Sequence, residues 1–282
     1  MTGVLILGAQ GYLGQHLEKR LKKDSNNKII SIDKKDVDLR NERECDYLFE
    51  NLKFDEIFQL AADSGNMEYI LSDNFSYGDS TVININIIKA LKNHNYNGKI
   101  LFPSTFYIYD GSNSYGVEKR YNEQLYLHSG LNVKIPRLFS VYGPGELINS
   151  PREKVITAFC RKYIEATDTL EIIGSPTQSR YFLHVADAIE GLIAMMSFDT
   201  TCVMDLSGNE KITFEKILHT IETIDGRHID IKYSLENKNE KVIFPDLGFA
   251  ETVLNWKPKI SFKKGMEELY KWVAKELENE SC

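Results

Sequence analysis

Short apolar runs alternate with amphipathic stretches through the first half of the chain. Residues 4–7, 28–32, 56–60, 99–102 and 132–135 have strand length and few polar positions, as strands buried on both faces do. Between them, residues 13–23, 42–51, 80–93 and 117–129 repeat apolar positions at helical spacing. This alternation predicts an α/β fold, a parallel sheet with right-handed crossovers. The rhythm breaks near Gly143-Pro144-Gly145. Beyond it the pattern predicts helices over 155–166, 185–196, 213–224 and 262–277, with strands over 170–173 and 229–233. Met266, Leu269, Tyr270 and Val273 sit at helical spacing in the last helix and read as core. There is no internal repeat and no low-complexity linker, so the last third reads as a smaller lobe packed over the sheet edge.

Composition narrows the class. The 282 residues are 42% hydrophobic and 27% charged, as in a globular protein. A formal charge of -7 and an isoelectric point near 5.5 argue against nucleic-acid binding, but not against an anionic small ligand held in a local pocket. The longest apolar runs are strand-sized, which predicts no membrane partner. The chain enters a strand almost at once, leaving no room for a signal peptide. Cys45, Cys160, Cys202 and Cys282 lack paired or metal-ligand spacing, so we expect reduced thiols, a cytoplasmic setting and no metal.

The first strand runs into Gly8-Ala9-Gln10-Gly11-Tyr12-Leu13-Gly14, and a helix opens from it. Glycines there permit a tight turn, close approach of the backbone to a pyrophosphate, and close helix–strand packing. The helix N-terminus adds free N–H groups and a positive dipole end. A turn cluster in an ordinary α/β protein would look similar, but Asp33 ends the second strand about twenty residues on, where an acid binds ribose hydroxyls. A carboxylate there favours NAD over NADP, whose 2′-phosphate it would repel; NADP stays open. Lys34 and Lys35 read as solvated turn lysines. Asp38 and Leu39 would flank the adenine, or simply begin a helix.

Tyr115 and Lys119 are four apart on a helix and so face the same way. A nearby ammonium and the positive nicotinamide would together lower the phenol's ordinary pKa of ~10 and make Tyr115 a usable base. Fifteen tyrosines make a chance Tyr-x-x-x-Lys common; position argues for this one, just after a strand ending in Ser104-Thr105.

With these motifs the chain resembles the extended short-chain dehydrogenase/reductases of the nucleotide-sugar epimerase/dehydratase type, over nearly its whole length. Further marks are Leu60-Ala61-Ala62, Ile108-Tyr109, the run from Arg137 to Gly145, the run from Arg180 to Asp187, and Leu254-Asn255-Trp256-Lys257-Pro258. The resemblance implies a Rossmann-type domain over residues 1–150, with later returns near 180–205, and a nucleotide-sugar lobe over 151–282. It implies NAD held by Gly8, Gly11, Tyr12, Leu13, Gly14, Asp33, Asp38, Leu39, Leu60, Ala61 and Ala62, together with Tyr115 and Lys119. It implies catalysis by Tyr115, Lys119 and Thr105, the last placed four residues before Tyr109. Ser140, Lys154 and Arg180 would join Thr105 on a nucleotide-diphosphate sugar, Arg180 through its planar fork. A homodimer through the helices 80–93 and 117–129 is also implied.

Departures from the family pattern carry the subclass. Phe106 and Tyr107 stand where dehydratases place an acid pair; decarboxylases need a Glu nearby that is absent; and Tyr107 occupies the place of the Cys used by enzymes that invert centres beside a ketone. Residues 60–67 faintly resemble the GDP-mannose 3,5-epimerases, which keeps a GDP-sugar open. Ser80 and Ser140 replace family asparagines. An Arg expected shortly before Asp246 is missing, with Lys238 or Lys241 as substitutes. His184 and Tyr142 read as structural. Three functions follow: an NAD-dependent epimerase working at one carbinol, carbon 4; a 4-keto-6-deoxy-sugar nucleotide reductase; and a non-catalytic dinucleotide sensor.

Overall fold

The computed structural model describes residues 2–72, 76, 78–111, 113–234 and 242–280. Lys238, Lys241 and Cys282 lie outside them. In chain order the first half gives β1 (Thr2–Leu7), α1 (Tyr12–Leu21), β2 (Asn27–Ile32), α2 (Glu42–Asn51), β3 (Glu56–Gln59), the short α3 (Met67–Ile70), α4 (Asp79–Asn93) and β4 (Lys99–Leu101). It continues with β5 (Ser104–Thr105), a 3-10 turn (Phe106–Tyr109), α5 (Ser114–Leu127) and β6 (Asn132–Leu138). Then follow β7 (Ser140–Tyr142), α6 (Val155–Glu165), β8 (Thr169–Ile173), β9 (Ser179–His184), α7 (Val185–Met196) and β10 (Cys202–Leu206). The chain closes with β11 (Lys211–Thr213), α8 (Phe214–Asp225), β12 (Asp230–Ser234), α9 (Gly248–Leu254) and α10 (Phe262–Glu280).

The main sheet is parallel throughout, in the order β10-β6-β4-β3-β1-β2, with β5 beside β6. Its central strands are apolar on both faces because both are covered. One face packs α1 and α7 around Val4, Ile6, Leu17, Leu192 and Trp256. The other packs α2, α4 and α5 around Leu5, Leu7, Ile87, Ile100 and Tyr126. A third cluster gathers α6, α8 and α10 around Phe159, Ile217 and Leu269, and forms the lobe. The predicted core positions Met266, Leu269, Tyr270 and Val273 are buried there, as is Tyr142.

Two small sheets complete the fold: β11-β9-β7, and β12-β8, which packs into the third cluster. Asp187, buried in the first turn of α7, accepts the Lys259 and Ile260 N–H groups at 3.0 and 2.8 Å. The Trp256 indole donates to the Asp187 carbonyl at 3.3 Å. The two late motifs of the sequence thus meet in one brace. His184 caps α7, its Nδ1 accepting the Ala186 N–H at 3.3 Å. Among the described residues no helix is long and apolar enough to cross a membrane.

The candidate active site

The glycine loop follows β1 directly. Gly8 lies at φ +79°, and a Cβ there would sit 2.7 Å from the Ala61 nitrogen. A Cβ on Gly14 would sit 2.3 Å from the Gly8 carbonyl oxygen. These two positions let β1, the end of β3 and α1 close on one another. Gly11 differs: among the described residues, a Cβ there would meet only the Gly8 oxygen, at 3.2 Å. Gly11 is also the N-cap of α1, and no side chain caps the helix. First-turn N–H groups at Tyr12 and Leu13 thus have no side-chain cap among the described residues, a cradle-like arrangement that fits a pyrophosphate. Leu60, Ala61 and Ala62 pass beside the loop, Leu60 donating to Leu7 at 2.9 Å.

Asp33 stands at the end of β2, its Oδ2 accepting the Gln10 N–H at 3.0 Å. This places a carboxylate at the rim of the cradle, as ribose hydroxyls require. Asp38 is engaged by Arg40, which donates through Nη2 at 2.7 Å and Nε at 2.9 Å and holds the Asp38 pKa down to about 2. Arg40 also reaches Asp79 at the start of α4, at 2.9 Å. Leu39 is buried in the core beneath.

The Asn113 side chain accepts the Gly116 N–H at 2.7 Å and starts α5 at Ser114, three residues earlier than the sequence pattern predicts. Tyr115 therefore lies in the first turn and Lys119 one turn below it. The Lys119 ammonium is buried, donates to the Pro103 carbonyl at 2.9 Å, and lies 5.8 Å from the centre of the Tyr115 ring. Thr105 ends β5 and caps the 3-10 turn, its Oγ1 accepting the Tyr107 N–H at 3.4 Å. Beside it, the buried Ser104 hydroxyl has no hydrogen-bond partner among the described residues. Thr105 and α5 meet at the carboxyl edge of the sheet, where doubly wound folds bind ligands.

Among the protein's own groups, Lys119 does not outweigh burial at Tyr115. Burial pushes the phenol well above its ordinary value, and Tyr107, Glu118 and Asp63 push the same way. Lys119 is itself driven down to about 8 by burial, partly offset by Glu118 and Glu123.

Other groups around Tyr115 had no local signal in the sequence. Tyr69 and Ile70, from α3, pack against the Tyr115 ring. The Tyr69 hydroxyl donates to Asp63 at 2.9 Å, and Arg152 pairs with Asp63 at 2.9 Å. Arg137 binds Glu123 of α5 through Nη2 at 2.8 Å and the Tyr109 hydroxyl through Nη1 at 2.9 Å, joining the element that carries Tyr115 to the turn that follows Thr105.

On the substrate side, the β7–β9 register sets Ser140 beside Phe182, so Ser140 and Arg180 share one face of that small sheet. Lys154 points inward: its ammonium meets Glu146 and the Val141 carbonyl, each at 2.9 Å, and lies 4.5 Å from the Tyr12 ring centre. Phe106 and Tyr107 pack closely, with tilted rings whose centres lie 4.2 Å apart; Phe106 stacks on Phe139, and Tyr107 meets Tyr115 edge-on at 6.3 Å.

Residues 4–202 match the model of the NAD dependent epimerase/dehydratase family. The chain is 26% identical to GDP-mannose 3,5-epimerase of Arabidopsis thaliana, over 99% of this chain and 84% of that one. It is 26% identical to UDP-glucuronate 4-epimerase of Thermodesulfobacterium geofontis, over 92% and 83%. The fold superposes on UDP-glucose 4-epimerase of Thermotoga maritima with a TM-score of 0.84, covering 98% and 99% of the two chains at 18% identity. With more than half its length matched and a dinucleotide cradle at the head of its sheet, the chain belongs to the NAD-dependent epimerase/dehydratase family, among the short-chain dehydrogenase/reductase-type enzymes of nucleotide sugars.

Proposed function

We propose that this protein is a nucleotide-sugar epimerase that transiently oxidises one sugar hydroxyl, at carbon 4, and returns the hydride to the other face. The observation that carries the reading is the meeting of Tyr115, Lys119 and Thr105 at the carboxyl edge of the sheet beside the glycine cradle. NAD, held by the glycine loop and Asp33, would supply the hydride acceptor for this chemistry. Tyr115 takes the proton from the sugar hydroxyl and later restores it. Thr105 orients the reacting oxygen by hydrogen bonding. Lys119 holds the nicotinamide ribose and supplies positive charge next to Tyr115. Ser140 and Arg180, with Lys154 once freed from Glu146, hold the nucleoside diphosphate. Relatives acting on GDP-mannose and UDP-glucuronate support a nucleoside-diphosphate sugar as substrate. Phe106 and Tyr107 supply no acid for elimination and no thiol for inversion beside the ketone.

The test is turnover of UDP-, GDP-, CDP- and dTDP-sugars by purified protein with NAD in deuterated water, followed by NMR. A carbon-4 epimer without solvent deuterium is expected, because the migrating hydrogen never leaves the site. In parallel reactions supplied with NADH or NADPH, its stoichiometric consumption would show a reductase instead, and deuterium at carbon 3 or 5 would show inversion beside the ketone.

A homodimer across α4 and α5 is part of the proposal, since Val82, Val117, Tyr121 and Leu127 are exposed on these helices. Light scattering at micromolar concentration checks it. A reducing cytoplasmic setting accords with Cys45, Cys160 and Cys202 being buried free thiols.

A further inference from the structure

The segment after β3 crosses in front of Tyr115 and is fastened to the lobe at two points. In the first, Arg152 pairs with Asp63 at 2.9 Å and lies 4.3 Å from the centre of the Tyr69 ring. In the second, the Asn66 side-chain amide donates to the Glu153 carbonyl at 2.7 Å. Both fastenings have firm footings. Glu153 is buried and gripped by Arg161 of α6, through Nη2 at 2.8 Å and Nε at 2.9 Å. On the other side, the Asp63 N–H donates to the buried Ser80 hydroxyl at 3.2 Å. Asn66 also accepts the Tyr69 N–H at 2.7 Å, which sets the turn carrying Tyr69. A Cβ on Gly65 would sit 2.6 Å from the Tyr69 ring, so the strap is packed closely against it.

Between these fastenings lies one small apolar cluster, Tyr69 and Ile70, and the residue packed against it is Tyr115. The Tyr69 hydroxyl is held by the Asp63 carboxylate while its ring carries the Arg152 guanidinium on one side. An aromatic ring pinned this way is a rigid wall, because charge-assisted hydrogen bonds and cation–π contact fix both its plane and its rotation.

We propose that Asp63, Tyr69 and Arg152 form a clasp that positions and shields Tyr115, so that the phenol is correctly set only while the lobe segment carrying Arg152 is seated on the strap. The three are positioning residues. The clasp deepens the role given to Tyr115 above, and its functional meaning rests on that reading. A nucleotide sugar that draws the lobe against the sheet would tighten the clasp at the moment the base is needed.

Hydroxyl-radical footprinting of the full chain, read by peptide mass spectrometry, tests this without any substrate, since ring oxidation follows solvent access. In the wild type Tyr115, half-buried behind the strap, should oxidise slowly. Arg152→Gln and Tyr69→Ala should each raise its oxidation about threefold or more, as local opening does without global unfolding. Tyr126 and Tyr163, buried in separate clusters, should stay protected and exposed Tyr121 should stay constant. Arg152→Lys, which keeps the charge, should restore most of the protection. If Arg152→Gln exposes Tyr126 as well, the variant has unfolded, and Asp63→Asn, nearly isosteric, decides in its place. Tyr115 protection equal to wild type in a folded Arg152→Gln or Asp63→Asn protein overturns the clasp. With a nucleotide sugar that the wild type turns over, Arg152→Gln should lower kcat more than it raises KM. Failure of every sugar to react would count against the epimerase reading, and the footprint would still decide for or against the clasp.

Discussion

Replacing Lys119 with Met should make the cofactor-free protein more stable while destroying its activity. Lys119 is buried, and burial lowers its pKa from 10.5 to about 8 despite the nearby carboxylates of Glu118 and Glu123. That gap is equivalent to roughly 3 kcal/mol of strain at pH 7, where the folded protein holds an ammonium it solvates poorly. Met fills similar volume and carries no charge, but forfeits the bond to the Pro103 carbonyl, a loss of about 1 kcal/mol. A net gain of about 2 kcal/mol should raise the melting temperature by roughly 4 °C or more in a chain of this size. The pH dependence identifies the cause. Between about pH 8 and 10.5 the unfolded chain still binds the Lys119 proton and the folded chain has released it, so wild-type stability rises through that window. The advantage of Lys119→Met should be constant below pH 8, shrink across the window and reverse above it, where only the lost Pro103 bond, about 1 kcal/mol, remains. Other groups titrate there too, but equally in both proteins, so the difference isolates Lys119. Thermal unfolding at pH 7, 9 and 10.5 measures it. A variant less stable than wild type at pH 7, or a difference that ignores pH, would refute the account.

Tyr115→Phe should lower turnover by roughly 10²–10⁴-fold, the usual contribution of a positioned acid–base, with NAD affinity by calorimetry nearly unchanged. Asp33→Ala should weaken NAD binding and narrow the preference for NAD over NADP, because the carboxylate at the cradle rim is what a 2′-phosphate would meet; an unchanged preference ratio would remove Asp33 from the site. Gly14→Ala should cost about 1–3 kcal/mol by overpacking and abolish NAD binding, since its Cβ would lie 2.3 Å from the Gly8 oxygen, and denaturant titration with and without NAD separates the two effects.

The parts of the fold legible in the sequence are those whose signal is local. Five strands and the helices between them repeat at their own periods, and the glycine loop, Asp33, Tyr115 and Lys119 sit at fixed offsets from strand ends. β10 is not legible because five residues after a helix show no alternation, and only its parallel pairing with β6 makes it a strand. β7 and β11 are three residues each and exist through their pairing with β9. The early start of α5 rests on Asn113, whose capping bond is visible as Asn-x-x-Gly only once the helix is placed. The clasp joins Asp63 and Tyr69 to Arg152, more than eighty residues on, so no window of sequence contains it. The balance at Tyr115 is not legible for a related reason. Helical spacing shows that Lys119 is near, but not that burial outweighs it and that Glu118, Asp63 and Tyr107 oppose it.

Those opposing charges bear on how the proposed reaction is timed. Tyr115 is held as a neutral phenol by burial and by neighbouring acids, which the Lys119 ammonium does not outweigh. A base held in that state gains reactivity only when further positive charge arrives close to its ring. On the proposed reading, NAD bound beside Tyr115 would supply that charge when oxidised and not when reduced, which would favour the phenolate when a hydroxyl must lose its proton and the phenol when the ketone must regain one. The surroundings that keep Tyr115 neutral thus do not work against catalysis. On the proposed reading they would let a single residue serve as base in the oxidative half and as acid in the return half, with its protonation following the redox state of the cofactor beside it.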